Sequence, residues 1–242
     1  MDPTESTPMK YKSSILRHRA RHQSPVVTLL ASGFRRFQRR WYKDDEELFR
    51  ALRRGQKPHA LLIACSDSRV DPVLLTDSRP GDLFVVRNVA NLVPPYARDG
   101  GSHGVSAAME YAVKHLEVRD IIVMGHACCG GIRALVDEAA GGGHHGGPDE
   151  FIGPWVALAQ KALRHVLETM PGASREDIAH ACELLSVRYS LEALRTFPWI
   201  RSREEEGALT LHGWYFDLRS GELLEYDEAR EVFHPLVGHA EA

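Results

Sequence analysis

Cysteine is scarce in this chain. Cys65, Cys128, Cys129 and Cys182 are the only four among 242 residues, too few to staple a fold of this length by disulfides. Thiols so sparse, with no export signal beside them, read as metal ligands or core residues in a reducing, cytoplasmic compartment. Acid is missing from a whole segment: no Asp or Glu stands between Ser6 and Lys43. Long apolar runs are missing too. Nothing approaches the roughly 20 residues that a membrane span needs, and "PVVTLL" turns almost at once into "FRRFQRR", too soon for a secretory leader. There is no internal repeat, and no recognition motif accompanies the basic charge, so nucleic acid is not an expected partner.

What remains is the material of a globular protein. Hydrophobic residues make up 43% of the chain and the formal net charge is −3. That balance suits one catalytic domain over 26–242, preceded by a poorly ordered basic arm over 1–25. Residues 1–43 hold ten lysines and arginines against two acids. The arm reads as solvated or subunit-binding, with an organelle transit peptide as the second reading. "GFRRFQRRWY" sets Phe34, Phe37 and Trp41 at helical spacing with arginines between, an amphipathic helix that needs an apolar surface to lie on. The helix is expected to continue through "DDEELFRALRRG" to a stop at Gly55.

Beyond Gly55 the pattern alternates. "HALLIAC", "DLFVVRN" and "DIIVMGH" are short apolar runs, and "GVSAAMEYAVKHLE" and "GGIRALVDEA" are helical in spacing. Apolar strands separated by helices predict an α/β fold, a mostly parallel central sheet flanked by helices. Two longer helices follow, and "ALTLHGWYFDLRSGELLEY" reads as a closing strand, turn and strand.

Two of the strands end in metal-ligand residue types. The first runs into Cys65-Ser66-Asp67-Ser68-Arg69, the other into His126-Ala127-Cys128-Cys129-Gly130-Gly131. In extended chain, alternate residues share a side, which groups Cys65, Asp67 and Arg69. His126 and Cys129, three apart, come to one side if a helical turn starts there. Either Cys128 or Cys129 offers a second thiolate, and the turn argument favours Cys129. Two cysteines and a histidine suit zinc, with Asp67 or water in the fourth place. Cys182, inside a helical pattern, reads as core. His144 and His145, in "GGGHHGGPDE", read as solvated loop rather than a second metal site.

With these segments in view, the chain resembles the β-class carbonic anhydrases. "ACSDSRV", "GDLFVVRNVANLVPPY", "SAAMEYAVKHL", "MGHACCGGIRAL", "YSLEALRTFPWI" and "LHGWYFDLRSGELL" carry the likeness, over roughly 33–226. The resemblance implies one zinc per subunit on Cys65, His126 and Cys129, and zinc-bound hydroxide attacking CO2 to give bicarbonate. Asp67 and Arg69 match the family's carboxylate–guanidinium dyad. Asp67 is the fourth ligand in a closed state and orients the hydroxide when paired with Arg69. Gln56, Phe84, Val89, Tyr111 and Gly130 match the positions that line the substrate pocket. N-terminal helices packing on a neighbouring subunit are implied, in a homodimer or dimer of dimers. A bicarbonate-inhibited subgroup carries tryptophan three residues before the first zinc cysteine. Leu62 stands there instead, so the chain is similar to the plant-like subgroup with an open site near neutral pH. Hydrolysis of CS2 or COS on the same fold, and a non-catalytic zinc-holding module, are the competing functions. Asp67 and Arg69 argue against the second.

Overall fold

A computed structural model describes residues 24–43, 45–142 and 150–237. The chain divides after Gly55 into two compact units. The basic arm over 1–25 lies almost wholly outside the described residues, as do His144 and His145. In the first unit, α1 (Pro25–Phe37) starts on a proline, whose missing N–H costs nothing at a first helical turn. A π-helical segment, Gln38–Lys43, follows it. The expected continuous helix breaks there, because a second N-terminus begins at Asp45. The Asp45 carboxylate accepts the Leu48 N–H at 3.0 Å and opens α2 (Glu46–Leu52), with Glu46 and Glu47 in its first turn. α2 also ends at Leu52, short of Gly55. Phe37 meets Phe49 edge-on at 6.0 Å and Tyr42 lies 5.1 Å from Phe49, so the aromatics close the bend. Val26, Leu29, Leu30 and Phe34 stay exposed along α1.

The second unit is a six-stranded sheet in the order β2-β1-β3-β4-β5-β6. β1 (Ala60–Cys65) is buried at every residue, which is why its sequence shows no alternation. α3 (Pro72–Thr76) leads to β2 (Leu83–Asn88). α4 (Gly104–Glu110), with a π-helical turn over Tyr111–His115, leads to β3 (Asp120–His126). Helices α5 (Gly130–Ala139), α6 (Ile152–Val156), α7 (Gln160–Thr169), α8 (Arg175–Leu194) and α9 (Pro198–Glu205) precede β4 (Thr210–Asp217). β5 (Glu222–Asp227) and β6 (Val232–Pro235) close the sheet. The first four strands pair in parallel and the last two antiparallel, the mostly parallel sheet the alternation predicts. The short α3, α9 and β6 were not foreseen from periodicity. Among the described residues no helix is long and apolar enough to cross a membrane.

Leu61, Ile63, Ile121 and Val123 bury one sheet face against Met109, Val113, Val187, Leu191 and Leu194. Cys182 is fully buried in a second cluster with Ile132, Leu163 and Val166, and burial pushes its thiol up to about 12. It is a core residue, as expected. The topology also fixes where a ligand can sit. From β1 the chain steps to β2 on one side and then to β3 on the other. The order reverses between the carboxyl ends of β1 and β3, where a parallel sheet opens a crevice.

Candidate metal centre

Cys65 is the last residue of β1 and His126 the last of β3, so both stand at that crevice. Cys129 is the N-cap of α5, three residues further on. The ligand atoms of Cys65, His126 and Cys129 lie within 4.8 Å of one another, and all three residues are buried. The expected trio is therefore brought together, though not by a helical turn. Cys128 takes a left-handed backbone at φ 57°, uncommon for a residue with a Cβ, and this kink turns Cys129 back toward His126 while leaving Cys128 exposed. That choice of thiol is conformational.

The donors fit a metal ion of the soft, tetrahedral kind. His126 Nδ1 lies 2.9 Å from the Ala127 carbonyl, a contact that requires the proton on Nδ1. In the neutral ring Nε2 then offers a lone pair, and it is buried with no hydrogen-bond partner. An unpaired buried acceptor costs free energy unless something binds it. The two sulfurs make the same demand. The neighbouring Cys129 thiol pulls Cys65 well below the usual thiol range, and Cys65 in turn pushes Cys129 up. Two buried thiols this close suit a cation that would take both as thiolates. The Ala90 N–H also donates to Cys65 Sγ at 3.3 Å.

Asp67 and Arg69 are not a strand pair either. β1 ends at Cys65, and Asp67 and Arg69 sit in a turn in which the Arg69 N–H donates to Asp67 Oδ1 at 2.9 Å. The guanidinium then grips the same carboxylate twice, Nε to Oδ1 at 2.9 Å and Nη2 to Oδ2 at 2.7 Å. This fork holds the Asp67 carboxyl well below the usual carboxylate range. Arg69 Nη2 also donates to the Cys128 carbonyl at 3.0 Å. The kinked residue that places Cys129 is thereby tied to the dyad that follows Cys65. Arg87 braces the same turn through the Cys65 and Asp67 carbonyls, at 2.9 and 2.6 Å, and through Asp71 at 2.8 Å.

The family model for carbonic anhydrase matches residues 60–223. A carbonic anhydrase of Pseudomonas aeruginosa is 41% identical over 220 residues, covering 88% of this chain and 93% of that protein. The chain belongs to the β-class carbonic anhydrases. The solved structure of the β-carbonic anhydrase CcaA superposes with a TM-score of 0.81 at 35% identity, over 89% of this chain and 94% of that one. A tetrameric β-carbonic anhydrase from Sordaria macrospora gives 0.72 at 28% identity, over 84% and 97%.

The residues expected from the resemblance to line the pocket divide into two groups. Val89 and Gly130 are at the metal end. Val89 precedes Ala90, the donor to Cys65, and presses on the glycine pair: a Cβ on Gly131 would meet Val89 Cγ1 at 2.6 Å. Gly130 opens α5 directly after Cys129 and is exposed, with nothing within 4 Å of where a Cβ would be. Phe84 and Tyr111 are together, ring centroids 5.9 Å apart, but Phe84 is in register with Leu61 whereas Cys65 is in register with Asn88. Four residues of strand put Phe84 about 13 Å along the sheet from the cysteine. Within one chain, then, Phe84 and Tyr111 do not reach the metal cluster. Gln56 lies in the exposed segment before β1.

One residue at the carbonic anhydrase centre was not singled out from sequence. Glu183, on α8, is buried and accepts the Cys129 N–H at 2.8 Å. Its signal was present, since it stands four residues after Ala179 and four before Val187, on the buried face of the helix.

Proposed function

We propose that Cys65, His126 and Cys129 hold one zinc ion and that Asp67 and Arg69 govern its reaction with CO2. The reaction is the reversible hydration of CO2 to bicarbonate and a proton, the activity of the β-class carbonic anhydrases. The observation that carries the ligand assignment is the buried trio with an unpartnered His126 Nε2. Zinc held by these two thiolates and the imidazole would lower the pKa of a bound water toward about 7 and so supply the nucleophile near neutral pH.

The remaining work falls to the chain. The Ala127 carbonyl fixes the His126 tautomer, so that Nε2 faces the metal. Asp67, kept ionised by Arg69, can only accept hydrogen bonds. Beside the oxygen that a bound zinc would activate, this carboxylate would accept the O–H as a hydrogen bond, without taking the proton, and so leave a lone pair free for the CO2 carbon. Arg69, by occupying both carboxylate oxygens, keeps Asp67 from competing for the metal. Leu62 in place of tryptophan supports an open site of the plant-like kind near neutral pH. The four thiols, all free, suit a reducing, cytoplasmic setting.

Phe84, Tyr111 and Gln56 complete the substrate pocket from a second copy in this reading. Their distance from Cys65 along the sheet supports it, as do the exposed apolar residues on α1, which suit a subunit contact. The assembly is a homodimer or a dimer of dimers. Subunit mixing tests it. Cys65→Ala lacks a metal but carries an intact Phe84–Tyr111 wall, and a Phe84→Ala, Tyr111→Ala chain has the reverse defect. Mixed after dissociation, the two inactive samples are expected to recover roughly a quarter of wild-type CO2 hydration, since half of random dimers then hold one complete site of two. No recovery, with mixed dimers demonstrated by mass, would place the whole pocket within one chain.

A further inference from the structure

α8 contributes no metal ligand, yet it carries Glu183, only 4% exposed. Removing a carboxylate from water is costly unless close hydrogen bonds and opposite charge offset it. Both of its oxygens are used. Oε1 accepts the backbone N–H of Cys129 at 2.8 Å, and Oε2 accepts the Tyr215 hydroxyl at 2.8 Å. Tyr215, on β4, is itself 1% exposed, and His180 Nδ1 stands 3.1 Å from its hydroxyl on the outer side. A strand residue thus holds a helix carboxylate, which in turn holds the backbone amide of Cys129.

We propose that Glu183 is a positioning residue for the metal centre. It holds the Cys129 amide so that Sγ stays turned toward Cys65 and His126, and Tyr215 holds Glu183. The proposal rests on the reading that these three residues bind metal.

The loop itself explains why such a clamp is needed. Cys129 follows a left-handed Cys128 and is followed by Gly130 and Gly131. A kink next to two glycines has backbone freedom that does not by itself fix a sulfur. The other side of the ligand loop is pressed on the same helix. A Cβ on Gly125, next to His126, would meet Val187 Cγ2 on α8 at 2.6 Å and Tyr215 Cδ2 at 3.6 Å. α8 therefore abuts the strand end that presents His126 and, through Glu183, the turn that presents Cys129. The start of α5 also favours a negative charge there, which offsets part of the burial cost.

A carboxylate that merely anchored α8 to α5 would be indifferent to the metal, and this separates the two roles. The test uses the full zinc-loaded chain, with zinc release timed by the chromogenic chelator 4-(2-pyridylazo)resorcinol. The visible spectrum of the cobalt-substituted protein reports ligand geometry, and the urea midpoint serves as a fold control. Glu183→Ala is expected to release zinc about 10- to 100-fold faster and to shift the cobalt–thiolate band. Glu183→Gln keeps an oxygen for the Cys129 N–H and is expected to stay within about threefold of wild type. Folded Glu183→Ala with wild-type release and an unchanged cobalt spectrum would overturn the proposal. If Glu183→Ala does not fold, Tyr215→Phe decides. Release about fivefold faster is expected, and an unchanged rate overturns the proposal equally. No readout involves CO2, so a wild-type protein that binds zinc but does not hydrate CO2 would count against the catalytic reading alone.

Discussion

Cys65→Ala is expected to purify with less than about one-tenth of a zinc per subunit and to hydrate CO2 at the background rate. The expectation follows from where Cys65 stands. It ends β1, it is 4% exposed, and its sulfur is one of three donors within 4.8 Å of one another. Removing it leaves His126 and Cys129, one imidazole and one thiolate, too few to hold zinc against solvent and buffer. The substitution is small and β1 is otherwise intact, so the fold should persist. Circular dichroism and metal analysis on the same sample check both halves. A Cys65→Ala protein with a full zinc complement would show that the trio is not the metal site.

Asp67→Ala separates catalysis from metal binding. It is expected to keep its zinc and to lose about 10²-fold in kcat/KM. Asp67 sits two residues beyond Cys65, in a turn held by Arg69 and Arg87, so removing its carboxylate leaves the Cys65, His126 and Cys129 side chains in place. The pH dependence is informative in sign. Arg69 holds the Asp67 carboxyl far below its ordinary value, so the group is fully ionised at neutral pH and takes up a proton only in strong acid. Whatever the ion pair contributes is therefore complete above the ordinary carboxylate pKa and is lost only as pH falls through the depressed value. The deficit of Asp67→Ala should accordingly be the same size from pH 6.5 to 9, measured by stopped flow. A deficit that vanishes toward one end of that range would mean that Asp67 titrates during turnover, contrary to its pairing with Arg69.

The sheet and the meeting of Cys65, His126 and Cys129 were legible for a physical reason. Buried parallel strands must be apolar throughout, and a strand that stops abruptly at Cys65 or His126 marks its own carboxyl end. The local geometry was not. Alternation grouped Cys65, Asp67 and Arg69 as a strand would, but the chain turns after Cys65, and the dyad forms by an aspartate capping a backbone amide two residues on. Helical spacing paired His126 with Cys129, but a left-handed Cys128 does the pairing, and nothing in a cysteine's identity signals a positive φ. The pocket residues show a different limit. Phe84 and Val89 match one pocket by resemblance, yet they stand at opposite ends of β2, and pairing with β1 sets only Val89's end beside Cys65. Pairing register is a tertiary property, and a single strand does not carry it. Glu183 lay on the buried face of a readable helix, but only the position of Cys129 reveals its partner.

Stopped-flow CO2 hydration from pH 6.5 to 9, with zinc determined on the same sample, tests the central claim most directly. Activity is expected to rise in proportion to bound zinc up to about one equivalent per subunit, and to be lost and regained as zinc is removed and restored. Protein carrying a full equivalent of zinc that hydrates CO2 no faster than buffer across that range would contradict the account.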